Sequence, residues 1–414
     1  MNKNKYQILL LILILIMTGC KKENGKIEGN ENNNGDIVQE NPIDDEIAEV
    51  DKIEEMIKNM ILEEKIGQLI IVGKEGLEIN EDDIHQIENN KVGGFIFFSR
   101  NVDNENQVLN LLNELKNSNS SNKIPLFLSI DEEGGAVSRL SQIYGKLPTA
   151  KKLGEKSNQE LSFEYGKILG LSLKKLGFNL DFAPVLDINS NPKNPIIGDR
   201  AYGNTVEKVV ENGISVMDGI HSEGIISSVK HFPGHGDTSV DSHLDLPRID
   251  KSLDELENLE LYPFKEAINK DADMIMVAHI LFPQLDDKYP ASMSGQIINK
   301  LLREKLNFNG VIVSDDITMG AITENYSIGK GAIEFLKSGG DIILVCHEAD
   351  NPSIVLDAIK MGIEEGEVSI DEIDKKVYRI LSLKDKYNLK DDKIENIDIN
   401  DVIDRINKLN EKIS

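Results

Sequence analysis

Between about residue 47 and residue 389, short apolar runs alternate with longer segments in which apolar residues recur every third or fourth position. The runs at 66–72, 92–98, 126–130, 180–186, 225–229, 274–278, 311–313 and 342–345 read as strands. The segments 104–116, 160–175, 206–221, 253–269 and 354–364 read as amphipathic helices. Strands that are almost continuously apolar belong to a parallel sheet covered by helices on its faces. Eight such units in one chain predict an α/β fold, a single (β/α)8 TIM-type barrel, in preference to an open doubly wound sheet. The residues after the runs carry the next signal: Asp131, Asp187, Lys230 with His231, His279, Asp315 with Asp316, and His347 with Glu348. In a parallel barrel all these strand ends share one mouth, so a polar pocket is expected there.

The first 20 residues break this rhythm. Lys3 and Lys5 precede the apolar run 8–17, and Met17, Thr18, Gly19 and Cys20 follow it. A short basic start, an apolar stretch too brief to span a bilayer comfortably and small residues before a cleavage point make a secretory signal. It resembles a bacterial lipoprotein signal, which implies lipidation at Cys20, export, and a lipid anchor on the extracytoplasmic face of the cell membrane. An uncleaved anchor helix would leave the protein in the same compartment.

Residues 21–45 have almost nothing to bury and are expected to form a disordered tether. The domain organisation is then signal 1–20, linker 21–45, barrel 46–389 and a charged, helix-prone tail at 390–414 in which no chemistry is visible. The net charge of -26 argues against nucleic acid and against charge-driven binding to anionic membrane, leaving the lipid as the membrane contact. With Cys20 lipidated, Cys346 has no disulfide partner and reads as a buried strand residue.

The densest chemistry lies at 230–243, KHFPGHGDTSVDSH, which gathers Lys230, His231, His235, Asp237, Asp241 and His243 directly after a strand. Titratable groups on a Gly/Pro-broken loop behind a strand mark an active-site rim. Two other readings compete. His231, His235 and His243 with Asp237 or Asp241 offer zinc-type ligands, but their spacing matches no compact metal motif, and the Ser-Asp-Asp at 314–316 is left unused. A lipid-anchored solute-binding protein would suit the anchor, tether and acidic body, but such proteins have two lobes around a hinge, and the chain shows one continuous rhythm.

KHFPGHGDTSVDSH followed by LDLP, IDEEGGAVSRL at 130–140, GDRAYG at 198–203, PASMS at 290–294 and GVIVSDDITMGAI at 310–322 together resemble glycoside hydrolase family 3, in its β-N-acetylglucosaminidase branch. The resemblance implies a retaining exo-enzyme that removes terminal β-linked N-acetylglucosamine from wall-derived muropeptides or chitooligosaccharides, without cofactor or metal. Water as the second-step acceptor is the expectation; phosphate is the alternative, because a His acid/base repels an incoming anion less than Glu. No second domain of the kind some relatives carry is expected, since the chain ends soon after residue 389.

Retaining glycosidases ordinarily place two carboxyl groups about 5 to 5.5 Å apart across the scissile bond. The family pattern makes Asp315 the nucleophile, with Asp316 structural, accepting backbone N–H groups. In this branch His243 replaces the second carboxyl as acid/base, oriented by Asp241, on a loop expected to close over the sugar. An imidazole titrates near pH ~6.5, and an adjacent carboxylate favours the protonated form that expels a leaving group. Asp131 is implied to accept from sugar hydroxyls, Lys230 and His231 to donate to them, and Arg139 and Arg200 to line the leaving-group side. By the same resemblance, Ala136 stands where many relatives carry Arg, a departure that puts one aglycone contact in doubt. Asp187 and His279 are open between mouth and structural roles, and His235 and Asp237 are expected to shape the loop.

Overall fold

The structure, a computed structural model, describes residues 51–239 and 246–413. Its centre is a closed parallel barrel of β1 (Ile70–Gly73), β2 (Gly94–Phe97), β3 (Phe127–Ile130), β4 (Leu180–Asp181), β5 (Ile226–Phe232), β6 (Met274–Val277), β7 (Val311–Asp316) and β8 (Ile342–Val345) in sequence order. β1 closes the ring on β8 through pairs such as Ile71 with Leu344. The strands are buried almost throughout, as their unbroken apolar runs require.

Each expected strand is present, with informative shifts in extent. The run 66–72 fuses two elements: helix Leu62–Gln68 buries Ile66, and the strand begins at Ile70. The run 180–186 is interrupted at Pro184, which has no N–H for the ladder, and pairing resumes as an isolated bridge from Val185 to Lys230. The Ala183–Pro184, Lys230–His231 and Phe232–Pro233 peptide bonds are cis. β5 and β7 run further than their apolar residues, so Lys230, His231, Asp315 and Asp316 lie within strands and are held by the sheet.

The expected helices form as Glu105–Ser118, Gln159–Leu176, Val206–Ser222 and Asn351–Glu364, while 253–269 divides into Leu253–Asn258 and Leu261–Asn269. Asn104, Asn158, Thr205 and Ser252 cap the first turns through their side chains. Helices Gln159–Leu176 and Val206–Ser222 approach backbone to backbone. A Cβ on Gly166 would lie 2.1 Å from the Val216 carbonyl oxygen, so only glycine permits the contact.

Beyond residue 389 the chain is part of the barrel's coat. Helix Asn400–Ile413 buries Val402, Ile406, Leu409 and Ile413, a stripe at helical spacing. Arg405 pairs with Glu164 at 3.0 Å and Lys175 with Asp401 at 3.2 Å, fastening it to helix Gln159–Leu176. Helix Ile370–Lys386 lies under the end of the barrel opposite the mouth. From it Lys384 donates to the carbonyls of Gly93 at 3.0 Å and Pro125 at 2.7 Å and to Gln68 Oε1 at 2.8 Å. Burial pushes the Lys384 ammonium down to about 7.

Candidate active site

The carboxyl ends of the strands enclose a cavity of about 190 Å³. Ile96, Met276 and Leu344 give it an apolar floor, and Asp131, Lys230, His231 and Asp315 bring charge to it from β3, β5 and β7. Arg139 reaches it from a loop and Arg200 from the short 3-10 helix Gly198–Arg200, so the described residues expected to bind substrate or act as nucleophile converge on one space. Asp241 and His243 lie outside the described residues.

The segment after β3 is folded back by two glycines. Gly134 and Gly135 have φ of 75° and 60°, a left-handed pair that lets Glu133 N–H reach the Val137 carbonyl at 2.9 Å. A Cβ on Gly134 would fall 1.9 Å from Tyr165 Oη, which itself lies 3.0 Å from the Glu133 carbonyl and 2.9 Å from that of Pro148. The turn therefore packs without a side chain and aims Glu133 into the cavity.

There Glu133 meets two cations. Lys230 Nζ donates to Asp131 Oδ1 at 2.7 Å and to Glu133 Oε1 at 2.8 Å. Arg200 donates through Nε to Glu133 Oε2 at 2.8 Å and through Nη2 to Oε1 at 2.7 Å, a bidentate pair. Arg139 Nη2 stands 3.7 Å from Asp131 Oδ2. Burial alone would raise the Glu133 carboxyl, but Arg200 and Lys230 outweigh it and hold the group well below the carboxylate range. For Lys230, burial lowers the ammonium and the Asp131 and Glu133 charges more than restore it, so it stays charged.

Behind Arg200, Asp187 Oδ2 is 2.7 Å from His231 Nδ1, and Asp187 Oδ1 accepts the His235 N–H at 2.6 Å. Asp187 is thus a buried support, resolving the two roles open to it. With the ring proton assigned to Nδ1 by this bond, the lone pair of Nε2 faces Arg200 Nη2 at 3.4 Å. In that tautomer His231 presents an acceptor, and donation to a sugar hydroxyl through Nε2 requires a second proton.

Asp315 Oδ1 accepts the Asp316 N–H at 2.9 Å. Burial raises its carboxyl, yet His279, His231, the Asp316 N–H and Lys230 together outweigh burial and keep it below its ordinary value. Asp315 is therefore an ionised carboxylate at neutral pH, on a strand and open to the cavity. Asp316 is occupied: it accepts from Thr318 N at 3.0 Å, Thr318 Oγ1 at 2.6 Å and Cys346 N at 3.1 Å. This is the backbone-accepting role expected of it. His279 does not line the cavity. It is bound between Ser292 Oγ at 2.6 Å and the Asp316 carbonyl at 3.0 Å, so it ties Ser292 of the PASMS segment to the end of β7.

Two placements depart from expectation. His235, expected only to shape the loop, also lines the cavity, with its ring 5.6 Å from that of His231. Burial and the neighbouring His231 push it down to about 4, so its ring is neutral. Glu133 was not singled out in the sequence at all. Its signal is the acidic triplet Asp131, Glu132, Glu133 followed by two glycines at the end of β3. Asp237 keeps its expected role, meeting Ser190 Oγ at 3.4 Å and Lys251 Nζ at 3.0 Å. Cys346 is buried at the end of β8, as expected. Among the described residues, no group of three or more His, Cys, Asp or Glu side chains is arranged to hold a metal ion.

Residues 61–383 match the family described as glycosyl hydrolase family 3 N terminal domain. Over 319 residues the chain is 34% identical to beta-hexosaminidase A of Pseudoalteromonas piscicida, covering 71% of this chain and 53% of the relative. It thus spans about half the length of that protein. Over 297 residues it is 33% identical to a beta-hexosaminidase of Haemophilus influenzae strain Rd, covering 70% of this chain and 83% of the relative. The solved structure of a glycoside hydrolase family 3 beta-N-acetylglucosaminidase from Paenibacillus sp. str. FPU-7 superposes with a TM-score of 0.81 at 39% identity, covering 85% of this chain and 69% of that one.

Proposed function

The chain belongs to glycosyl hydrolase family 3, and from that premise we propose that it is a retaining exo-β-N-acetylglucosaminidase. The observation that carries the reading is Asp315: an ionised carboxylate on β7, opening on a cavity whose other walls carry Asp131, Lys230, Arg139 and Arg200. A cavity lined by fixed donors and acceptors over an apolar floor suits a sugar ring, which offers hydroxyls at its edge and C–H groups on its faces.

In the proposed reaction Asp315 attacks the anomeric carbon as the bond to the leaving oxygen breaks, and His243 gives that oxygen its proton. His243 then takes a proton from water, which attacks the same carbon and releases Asp315, so the anomeric configuration is retained. Asp131 accepts from ring hydroxyls. Lys230, with two of its three N–H groups committed to Asp131 and Glu133, donates the third. His231 in the cavity also has a carboxylate partner, but its Nε2 already faces a guanidinium and is badly placed to deliver a proton. That favours His243, paired with Asp241, for the transfer.

Muropeptides from the wall or chitooligosaccharides are the proposed substrates, reached from a lipid anchor at Cys20 outside the cytoplasmic membrane through the tether at 21–45. Incubation with aryl β-glycosides that differ at carbon two, with products followed by NMR, tests the activity. Preferred release of β-N-acetylglucosamine as first product is expected; initial release of the α anomer, or no turnover of any N-acetylated glycoside, defeats it. Running the assay with phosphate separates free sugar from sugar 1-phosphate.

A further inference from the structure

One buried carboxylate in the pocket has no part in this reaction. Glu133 has a side chain only 5% exposed, and its carboxylate bonds go to Lys230 and Arg200. Both cations reach the same atom, Oε1, so their charged ends can be no further apart than those two bonds laid end to end. Two like charges that close in a buried site repel strongly unless an anion stands between them.

We propose that Glu133 is the positioning residue of this pocket: its carboxylate, set by the Gly134–Gly135 turn, holds Lys230 and Arg200 at their working separation and turns their remaining N–H groups toward the substrate. The placement of these groups is independent of the hexosaminidase reading; only the nature of what those N–H groups bind rests on it. Asp131 cannot do this alone, because it bonds Lys230 and stands near Arg139 but makes no bond to Arg200. The titratable groups that act on Lys230 include Asp131 and Glu133 after β3, Arg200, Asp315 in β7, and Asp181 in β4, whose carboxyl burial raises well above the usual range. Among them Glu133 alone bonds both cations.

Glu133→Gln in the full chain keeps the shape and removes the charge. The Lys230 ammonium, followed in 15N-lysine-labelled protein and assigned with Lys230→Met, should then titrate about one pH unit lower. KM for an aryl N-acetylglucosaminide should rise roughly tenfold with kcat within about threefold, the mark of lost uniform binding. Glu133→Asp keeps the charge but withdraws it by one methylene, so the Lys230 titration should stay with wild type while KM still rises. An unchanged Lys230 titration and KM in Glu133→Gln overturns the proposal, as does a fall in kcat alone or a loss of thermal stability alone. Should Glu133→Gln fail to fold, an unchanged KM in Glu133→Asp overturns it equally. If wild type turns over no N-acetylhexosaminide, the functional reading fails, and the lysine titration still decides the role of Glu133.

Discussion

Asp187 holds the Nδ1 edge of His231 at 2.7 Å, leaving the opposite nitrogen to face Arg200 at 3.4 Å. The ring is therefore fixed in orientation by groups that do not themselves react. Replacing His231 by Ala should lower kcat/KM by roughly 10- to 100-fold, and by the same factor for aryl glycosides with good and poor leaving groups. A loss confined to poor leaving groups would assign proton transfer to His231.

His243→Ala should behave in the opposite way. Substrates with activated aryl leaving groups need no proton and should lose little, while poorly activated ones should lose roughly 10²- to 10⁴-fold. Measured kcat/KM across a series of phenol leaving groups gives the comparison, and a flat loss counts against the acid/base assignment.

Asp315→Ala removes the carboxylate and leaves the strand. Turnover should fall by roughly 10³-fold or more, with the circular dichroism spectrum and melting temperature close to wild type. Because His279, His231, the Asp316 N–H and Lys230 hold Asp315 below the ordinary carboxylate value, acid should protonate it later than an exposed aspartate. A near-normal rate in the variant removes Asp315 from the mechanism.

Glu132 gives a stability test with a defined sign. Burial, its largest influence, pushes this carboxyl up to about 7 despite hydrogen bonds from Ser138, Leu140 and Arg139. Its value in the unfolded chain is ~4.3. A raised folded value means the folded state takes up a proton between those limits. The contribution is fully present below ~4.3 and is lost as pH rises through about 7. Glu132→Gln can still accept from the Arg139 and Leu140 N–H groups, which reach Oε2 at 2.8 and 3.0 Å. Urea unfolding should show the variant more stable than wild type at pH 8, by roughly 3–4 kcal/mol, with the gain gone at pH 4. A gain of equal size at both pH values would point to a cause other than ionisation.

Lys384→Met should be destabilising. It strips a donor from two buried carbonyls and the Gln68 side chain at once. A loss of about 3 kcal/mol is expected from denaturant unfolding, with kcat and KM little changed because the site lies at the far end of the barrel. No loss of stability would show that the three acceptors find other donors.

The barrel was legible because its strands are buried on both faces, which leaves apolar runs that periodicity cannot miss. The run at 66–72 misled at its start for the same reason, since a buried helix face and a buried strand look alike over seven residues. Asp131, Lys230, His231 and Asp315 could be found because each stands at or just inside the end of an apolar run. Glu133 could not be distinguished from Glu132 by sequence, although one turns to the cations and the other to backbone N–H groups; the Gly134–Gly135 turn decides between them. Residues 390–414 read as a charged, helix-prone tail outside the barrel because charged positions flank the apolar ones, and the packed stripe of Val402, Ile406, Leu409 and Ile413 reveals its helix as part of the barrel's coat.

That last helix also constrains when the molecule can form. β1 pairs with β8, and Arg405 grips Glu164 across 241 positions of chain, so segments far apart in sequence complete the fold together. A chain that has emerged only as far as β7 therefore leaves β1 without its β8 partner, and one still short of Asn400–Ile413 leaves helix Gln159–Leu176 uncovered. Until those elements emerge, the nascent protein depends on whatever shields its exposed greasy surfaces.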